Sequence, residues 1–340
     1  MHAEIHTIES FLEKTVRVPV ADVRTPMEYE KGHIPGARLY PLFSNEERAE
    51  IGKLYALKGH DTAVQKGMEM VGPRLNRYVD HAQAMAPDKE ILLYCWRGGM
   101  RSASLGWLLQ TAGFKVGLLE GGYRTYRRYL HALFEKRYRL YIIGGYTGSG
   151  KTSMLEKLRE KGEQVINLER LAAHKGSTFG WIGEHDQPSQ EQFENELGWE
   201  WMKLDPGCVT WLEDESINIG KVQIPLPLFR LMQHSQMILL KTGIESRIEK
   251  LVSDYSMDSK DALVFCFQQL EKRMGGERSG EAIKAVQTGD FRTAAFIALQ
   301  YYDKAYGKLL DKRTGMITTL QAEATIDQTV SALTALVSTE

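Results

Sequence analysis

The chain has 340 residues and a mass of 38.6 kDa, which corresponds to roughly two domains of ~100–200 residues each. Apolar residues make up 43% of it and charged residues 26%, so a mainly disordered chain is excluded. Lysines and arginines number 43 against 44 acids, giving a formal net charge of −1. This balance excludes a globally basic nucleic-acid binder, and any such site must be a local patch.

Cysteine usage and the N-terminus indicate the compartment. Cys95, Cys208 and Cys266 lie far apart and form neither a disulfide framework nor a CxxC metal pair. The N-terminus lacks the basic and apolar regions of a signal peptide, and no apolar run approaches the ~20 residues that cross a bilayer. We therefore expect a cytoplasmic protein without a membrane segment, with Cys208 and Cys266 buried and inert in apolar runs.

Short apolar runs alternate with helical patterns in the first half of the chain. Strands are predicted at Val16–Val20, Ile91–Tyr94 and Val116–Leu119, the last one stopped by two glycines. The spacing of leucines predicts a helix over Ser102–Ala112. Strands that alternate with helices favour an α/β fold with a parallel sheet.

The second half begins a new strand at Leu140–Ile143, followed by a glycine-rich loop and a predicted helix at Ser153–Lys161. From about Asp258 onwards the pattern is mostly helical. We predict two α/β domains, 1–136 and 137–340, the second with a helical C-terminal region. Further strands of the second domain are predicted at Gln164–Asn167, Cys208–Leu212 and Met237–Lys241.

The segment from Cys95 to Ser102 reads CWRGGMRS and lies between a predicted strand and a predicted helix. A loop in this setting can direct several backbone N–H groups at one point, beside a helix N-terminus. Such surroundings stabilise a thiolate. We predict a nucleophilic cysteine in an anion-binding loop, suited either to phosphate-ester cleavage or to transfer of a sulfur group. The residues predicted to form this site are Cys95, Arg97, Gly98, Gly99 and Arg101.

Two upstream segments, Asp22–Tyr29 and Gly32–Ala37, closely resemble the N-terminal signature of rhodanese domains, and Leu118–Gly122 resembles the late strand and glycine turn of that family. The resemblance spans roughly residues 10–130 and implies that Cys95 carries a persulfide or its selenium equivalent. Within it, Asp22 and Arg24 are interpreted as a structural ion pair.

The loop departs from the family in length. Common sulfurtransferase rhodaneses have six-residue active loops, whereas Cys95–Arg101 spans seven residues, as in rhodanese-like phosphatases and arsenate reductases. A longer loop accommodates a larger oxyanion, such as a tetrahedral phosphate-like donor.

A second motif, GYTGSGKT at 145–152, matches G-x-x-x-x-G-K-[ST] at every fixed position, between a predicted strand and a predicted helix. Its glycines let backbone N–H groups approach phosphate oxygens. Lys151 reaches the terminal phosphates and Thr152 can ligate Mg²⁺. The loop would accept a diphosphate ester as well as a nucleotide. The predicted phosphate-binding residues are Gly145, Gly148, Ser149, Gly150, Lys151 and Thr152, together with Asp214.

An acidic partner for the phosphate loop should end a later strand. Glu213, Asp214 and Glu215 follow such a strand, and we take Asp214 as the metal-side acid. The sequence predicts no tightly bound cofactor, and Mg²⁺ at Thr152 and Asp214 is the one metal it suggests.

The segment Tyr123–Arg139 carries six basic residues against one acid, with aromatic residues interleaved. Cations bind phosphates and aromatic rings stack on splayed bases, so this segment is the predicted tRNA-binding surface. It is equally typical of an amphipathic helix whose tyrosines pack inward, and the two interpretations are compatible. The predicted tRNA-binding residues are Arg124, Arg127, Arg128, Arg137 and Arg139.

The pairing of both motifs, together with EDES at 213–216 followed by Ile219-Gly220, closely resembles the tRNA 2-selenouridine synthase family over nearly the whole chain. The resemblance implies geranylation of wobble 2-thiouridine in a tRNA anticodon by geranyl diphosphate. It also implies replacement of the S-geranyl group by selenium from selenophosphate, delivered from a selenophosphate synthetase.

Two other functions stay open at this point. One is a rhodanese-like phosphatase or sulfurtransferase fused to a kinase-like P-loop domain, which the length of the cysteine loop favours. The other is a non-catalytic tRNA-binding protein, for which Cys95 would be dispensable.

Overall fold

A computed structural model describes residues 3–255, 260–322 and 325–338. The chain divides into two compact units, residues 1–133 and 134–340. The division lies a few residues before the boundary expected near residue 137.

The first unit contains a five-stranded parallel sheet in the order β1-β5-β4-β2-β3. A 3-10 turn at Gly72–Arg74 joins α4 to α5. The elements in chain order are β1 (Glu4–His6), α1 (Ile8–Lys14), β2 (Val20–Asp22), α2 (Pro26–Lys31), β3 (Arg38–Leu39), α3 (Asn45–Lys58), α4 (His60–Val71), α5 (Leu75–Met85), β4 (Glu90–Tyr94), α6 (Met100–Thr111), β5 (Lys115–Leu119) and α7 (Gly122–Leu133).

The parallel sheet was predicted, but one strand was misplaced. The predicted strand Val16–Val20 is wrong, because the chain leaves α1 in a turn in which Arg17 and Val18 donate backbone hydrogen bonds to Lys14. Val16 is 83% exposed, and β2 begins only at Val20. By contrast, Ile91–Tyr94 is buried throughout, as expected for a central strand covered on both faces.

The second unit contains another five-stranded parallel sheet, in the order β12-β11-β6-β8-β7, and a small antiparallel hairpin of β9 and β10. Its elements are β6 (Arg139–Gly145), α8 (Lys151–Glu160), β7 (Gln164–Ile166), α9 (Leu168–Ala172), α10 (Gln190–Trp201), β8 (Val209–Glu213), β9 (Asn218–Ile219), β10 (Val222–Gln223), α11 (Leu226–His234), β11 (Gln236–Lys241), α12 (Ile244–Tyr255), α13 (Lys260–Met274), α14 (Gly276–Thr288), α15 (Phe291–Leu310), β12 (Ile317–Gln321) and α16 (Ile326–Ser338).

The helical region predicted after about residue 258 is confirmed from Lys260 onwards, since α13, α14 and α15 follow one another; residues 256–259 lie outside the described residues. The edge strand β12 was missed. Its residues are exposed or half-buried, so it lacks the continuous apolar run that marks the central strands.

Each unit places one predicted loop at the carboxyl end of a central strand. β4 leads into the cysteine loop and α6, and β6 leads into the phosphate loop and α8. Helix N-termini at such positions favour anions. Over the described ranges, no helix is both long and apolar enough to span a bilayer.

Candidate active sites

Cys95 follows β4 directly, and its side chain is almost fully buried. The hydroxyl of Ser102, in the first turn of α6, donates to the Cys95 sulfur at 3.3 Å. The thiol itself faces the Gly99 carbonyl oxygen at 3.9 Å. Ser102 thus orients the sulfur, a role that no motif of the sequence predicted.

A glycine turn after β5 holds the cysteine loop in place. The N–H groups of Tyr123 and Arg124 donate to the carbonyl oxygens of Cys95 and Trp96 at 2.8 and 3.1 Å. Gly122 has a φ of +63°, and a Cβ there would lie 2.3 Å from the Cys95 carbonyl oxygen. Only glycine fits this close approach.

The cysteine loop presents its own amide groups as an anion-binding surface. Across the part of the chain that the structure describes, the N–H groups of Trp96, Arg97, Gly98 and Gly99 have no hydrogen-bond acceptor. Gly98 adopts a φ of +64°, and Gly99 caps the N-terminus of α6. Successive N–H groups beside a helix N-terminus bind anions.

The two arginines of the loop differ in their surroundings. Arg97 is exposed. Arg101 forms a two-point ion pair with Glu28 of α2, at 2.6 and 3.1 Å. Burial opposes ionisation of Glu28, but the hydrogen bond and charge of Arg101 outweigh it and lower the pKa of that carboxyl. Arg101 therefore ties α2 to α6, and its direct contact with an anion stays a prediction.

The interpretation of Asp22 and Arg24 as a structural ion pair is confirmed. Both side chains are fully buried, and Arg24 binds both carboxylate oxygens as well as the Gly32 carbonyl. Its guanidinium lies 3.8 Å from the centre of the Tyr123 ring, next to the glycine turn. The pair links β2 to the segment that supports the cysteine loop.

The phosphate loop follows β6 as predicted. Gly148 and Gly150 have φ angles of +79° and +86°, which favour glycine. The Lys151 ammonium donates to the Gly145 carbonyl at 3.1 Å. The Ser149 hydroxyl is buried, and within the described residues it has no partner.

A buried arginine from α12 supports the loop from behind. Arg247 donates to the Thr147 carbonyl at 2.8 Å and forms a two-point ion pair with Asp303 of α15. The backbone of Arg247 packs so closely against Gly148 that a Cβ there would approach its carbonyl oxygen to 2.9 Å. This contact fixes the path of the loop.

Asp214, predicted as the metal-side acid, lies in a hydrogen-bond network, and its role as a metal ligand stays a prediction. One of its oxygens accepts from the Tyr306 hydroxyl at 2.8 Å and the other from Arg313 at 2.9 Å. Tyr306 also accepts the N–H of Gly145. Asp214 thus anchors the base of the phosphate loop to α15 and the segment that follows it.

Glu169 is the carboxylate that hydrogen-bonds to Thr152 in this structure. Its carboxylate accepts from the Thr152 hydroxyl at 3.1 Å. Mg²⁺ commonly binds one or two protein oxygens and completes its shell with water and phosphate, so Thr152 and Glu169 fit this ion. Over the described ranges, no cluster of three or more metal-binding side chains forms a complete cage.

Two further carboxyl groups, those of Glu213 and Glu215, lie close to Glu169. Burial, followed by the nearby charge of Glu169, raises the pKa of Glu213 to about 8. The pKa of Glu215 is raised for the same two reasons. One Glu213 oxygen accepts the Glu169 N–H, and the other is buried without a partner among the described residues. Glu213 is therefore largely protonated at neutral pH.

The phosphate loop opens into a cavity of about 930 Å³ within the second unit. Its walls include Lys151, Glu169 and Glu215, and also Lys175 and Lys250. A cavity of this size with both basic and acidic walls can admit a diphosphate with its cation.

The predicted tRNA-binding segment forms helix α7 and the start of β6. Arg124, Arg128, Arg137 and Arg139 are exposed, and Arg127 is half-buried. The interpretation as an amphipathic helix is confirmed, because Tyr123 and Tyr126 are fully buried and are not available to stack on bases. RNA contact by the arginines stays a prediction.

The other two cysteines differ from each other. Cys266 is buried as expected, and burial raises its pKa to about 11. The expectation for Cys208 is wrong, because it is exposed just before β8 begins. There its thiol donates to Asp205 at 3.5 Å.

Comparisons with known proteins identify the family of this chain. Residues 7–129 match the model of the rhodanese-like domain, and residues 138–335 match that of the tRNA 2-selenouridine synthase AAA domain. The tRNA 2-selenouridine synthase of Hydrogenovibrio crunogenus is 34% identical over 87% of this chain and 90% of its own. The chain belongs to the tRNA 2-selenouridine synthase family.

Other proteins are also similar to this chain. The synthase of Marinobacter nauticus is 35% identical over 77% of this chain and 76% of its own. A solved N-terminal domain of a putative ATP/GTP binding protein from Clostridium difficile is 40% identical over 37% of this chain and 98% of that domain, with a TM-score of 0.35.

Proposed function

We propose that this chain converts wobble 2-thiouridine of tRNA to 2-selenouridine through an S-geranyl intermediate, using geranyl diphosphate and selenophosphate. The observation that supports the proposal is the presence in one chain of two loops of different chemistry, each suited to an anion. One has a buried thiol beside amide groups that find no acceptor among the described residues, and the other has a phosphate loop with a lysine.

The first step takes place at the phosphate loop. The sulfur of 2-thiouridine attacks the first carbon of the geranyl group, the carbon–oxygen bond breaks, and pyrophosphate leaves. Lys151 and the loop amides stabilise the charge that develops on the leaving group. Mg²⁺, held by Thr152 and Glu169, would neutralise the remaining charge of the diphosphate.

The second step replaces the S-geranyl group. Selenium bonds to the C2 carbon of the base, the carbon–sulfur bond breaks, and geranylthiol leaves. Alkylation assists this step because a thioether sulfur leaves more readily than a thiocarbonyl sulfur.

Cys95 acts as the nucleophile that releases the selenium used in this second step. Its thiolate attacks the phosphorus of selenophosphate, the phosphorus–selenium bond breaks, and selenide is released, after which water hydrolyses the phosphocysteine. Selenium and phosphorus keep their oxidation states, so no oxidant or reductant is needed. A selenium carrier of the persulfide type would need a reductant to release selenide. The amides of Trp96–Gly99 would bind the phosphoryl oxygens.

Product analysis of two variants tests the proposal. With tRNA and both substrates, Cys95→Ser should accumulate S-geranyl-2-thiouridine, because only the second step uses the thiol. Lys151→Ala should slow geranylation by about 10²–10³-fold, the usual effect of removing one donor to a developing anion. Lys161→Ala, at the exposed residue that directly follows α8, is the control.

The rival function is phosphate-ester hydrolysis at Cys95, which the seven-residue loop favours. A generic phosphate ester is offered beside the tRNA mixture. Ester turnover with no change in the nucleosides would establish the rival and exclude the synthase. Nucleoside conversion that survives Cys95→Ser in full would exclude the assigned role of the thiol.

A further inference from the structure

The outer face of α6 carries an apolar stripe that begins at the cysteine loop. Met100, Ala103 and Trp107 follow one another at spacings of three and four residues and therefore share one face of the helix. All three are exposed, Met100 to 56% and Trp107 to 64%. They lie outside the buried core of the first unit. These three residues are called the α6 stripe.

The opposite face of α6 fixes the position of the stripe. Leu105, Gly106 and Leu109 are buried there, and a Cβ at Gly106 would lie 3.4 Å from the side chain of Leu118 in β5. The helix therefore packs closely on the sheet through this inner face. The α6 stripe is thus presented to the outside on a rigid support.

The helix carries no charge along the stripe. The segment from Ser102 to Thr111 contains no charged residue, although charged residues make up 26% of the chain and a solvated helix face normally carries them. Arg101, just before this segment, is held in its two-point ion pair with Glu28. RNA phosphates are bound mainly by lysines and arginines, so this face suits an uncharged apolar group better than an RNA backbone.

The stripe begins beside the sulfur of Cys95. The Cys95 thiol faces the carbonyl oxygen of Gly99 at 3.9 Å, and Gly99 directly precedes Met100 in the chain. With a rise of ~1.5 Å per residue, Trp107 lies about 10 Å further along the helix axis than Met100. The extended main chain of a geranyl group covers a similar distance.

The proposed second reaction brings a hydrocarbon chain to this place. Selenide released at Cys95 reacts efficiently with the base only if the C2 carbon lies beside the cysteine loop. That carbon bears the S-geranyl group, so the geranyl chain starts next to the loop and has to run along the surrounding surface. A chain left in water would forgo the free energy that is gained by burying it.

We infer that the α6 stripe binds the geranyl chain of the S-geranyl intermediate during selenium insertion. The inference rests on the proposed function, because it takes S-geranyl tRNA as the substrate of the cysteine loop. Met100 offers a flexible apolar side chain near the sulfur, and Trp107 offers a large flat one at the far end. The stripe makes the second step selective for a long S-alkyl group.

Two preformed substrates test the inference. One tRNA carries S-geranyl-2-thiouridine and the other carries S-methyl-2-thiouridine, so both present a thioether leaving group and they differ only in hydrocarbon. With selenophosphate, kcat/KM of the native protein should be at least ~30-fold higher for the S-geranyl tRNA, the equivalent of two to three buried methylene groups. Equal values for the two substrates would overturn the inference.

Trp107→Ala removes the largest apolar surface of the stripe. It should lower kcat/KM for the S-geranyl tRNA by about tenfold, mainly through KM, while the value for the S-methyl tRNA changes less than twofold. Trp107→Phe should restore much of the loss. Tyr55→Ala is the matched control, because Tyr55 is an exposed aromatic residue near the end of α3, and it should change neither value. Urea unfolding of each variant checks that the fold is intact.

The outcomes separate this inference from the proposed function. Equal losses with both tRNAs in Trp107→Ala would mean that Trp107 contacts the tRNA itself, by stacking on a base, and would overturn the hydrocarbon assignment. A loss in Tyr55→Ala as large as that in Trp107→Ala would also overturn it.

Binding of both tRNAs is measured as well, without selenophosphate. Tighter binding of the S-geranyl tRNA that Trp107→Ala weakens, with no change for the S-methyl tRNA, would support the stripe even if no 2-selenouridine formed. That absence of product would refute the proposed function alone. A preference for the S-geranyl tRNA that Trp107→Ala leaves unchanged would overturn the role of the stripe and leave the proposed function intact.

Discussion

Gly122→Ala tests how the glycine turn controls the cysteine loop. The new methyl group would lie 2.3 Å from the Cys95 carbonyl oxygen and 2.5 Å from the Gly98 nitrogen. Both are backbone atoms, so the overlap can be relieved only if the loop or the turn moves. We expect the loop to move, because α7 is fixed by its buried residues Tyr123 and Tyr126.

The loss of stability expected for Gly122→Ala has two parts. A non-glycine residue at a φ of +63° costs ~1–2 kcal/mol, and overpacking typically costs ~1–3 kcal/mol. Gly122→Ala should therefore destabilise the first unit by about 2–5 kcal/mol. Gly113→Ala is the matched control, because its φ is +88° and the nearest atom lies 3.8 Å from the added Cβ. That control should lose only ~1–2 kcal/mol.

Urea unfolding of both variants measures the difference, and product analysis measures its effect on chemistry. Gly122→Ala should stop selenium insertion while geranylation continues, because the phosphate loop belongs to the other unit. Gly113→Ala should retain both reactions. Equal stabilities of the two variants, with normal selenium insertion, would refute the claim that the turn holds the loop in place.

Three further predictions concern other buried and exposed groups. Arg24→Leu leaves Asp22 buried without its cation and should cost about 3–5 kcal/mol; a loss below ~1 kcal/mol in urea unfolding would contradict this. The pKa of Glu213 is raised from 4.5 to about 8 in the native protein. Between these pH values the carboxyl group ionises in the unfolded chain but stays protonated in the native protein, so the free energy of unfolding falls as pH rises. The free energy of unfolding of Glu213→Gln, measured relative to that of the native protein, should therefore be higher at pH 8 than at pH 4.5, by at most ~5 kcal/mol. The same difference at both pH values would exclude this. Cys208→Ser should leave activity unchanged, because its exposed thiol contacts neither site; loss of product in a folded variant would show otherwise.

The sequence predicted both loops well because each is a local pattern. A buried strand, a glycine loop and a helix start follow one another within about 20 residues around Cys95 and around Lys151. Backbone geometry at these positions depends on near neighbours. The positions of β4, α6, β6 and α8 agreed with the predictions to within a few residues.

Predictions that depended on distant partners were less successful. Asp214 was predicted to bind a metal from its place at a strand end, but its hydrogen bonds to Tyr306 and Arg313, which lie more than 90 residues away in sequence, could not be predicted. Arg101 is paired in the same way with Glu28, 73 residues earlier. Neither pairing leaves a local signal in the sequence.

An apolar pocket beside the phosphate loop, which Phe179 and Phe267 help to line, could not be predicted either. Its walls combine the phosphate loop, the loop after α9 and four helices, and alanines such as Ala294 and Ala298 are typical of any helix. A space between helices becomes apparent only when their packing is known.

The central claim is that one chain carries out two successive reactions at two anion sites. The most direct test is nucleoside mass analysis of a tRNA containing wobble 2-thiouridine, after incubation with this protein and both substrates, each omitted in turn. Geranyl diphosphate alone should give S-geranyl-2-thiouridine, both substrates should give 2-selenouridine, and selenophosphate alone should give neither. Formation of 2-selenouridine without geranyl diphosphate, or no change in the nucleoside under any condition, would contradict the account.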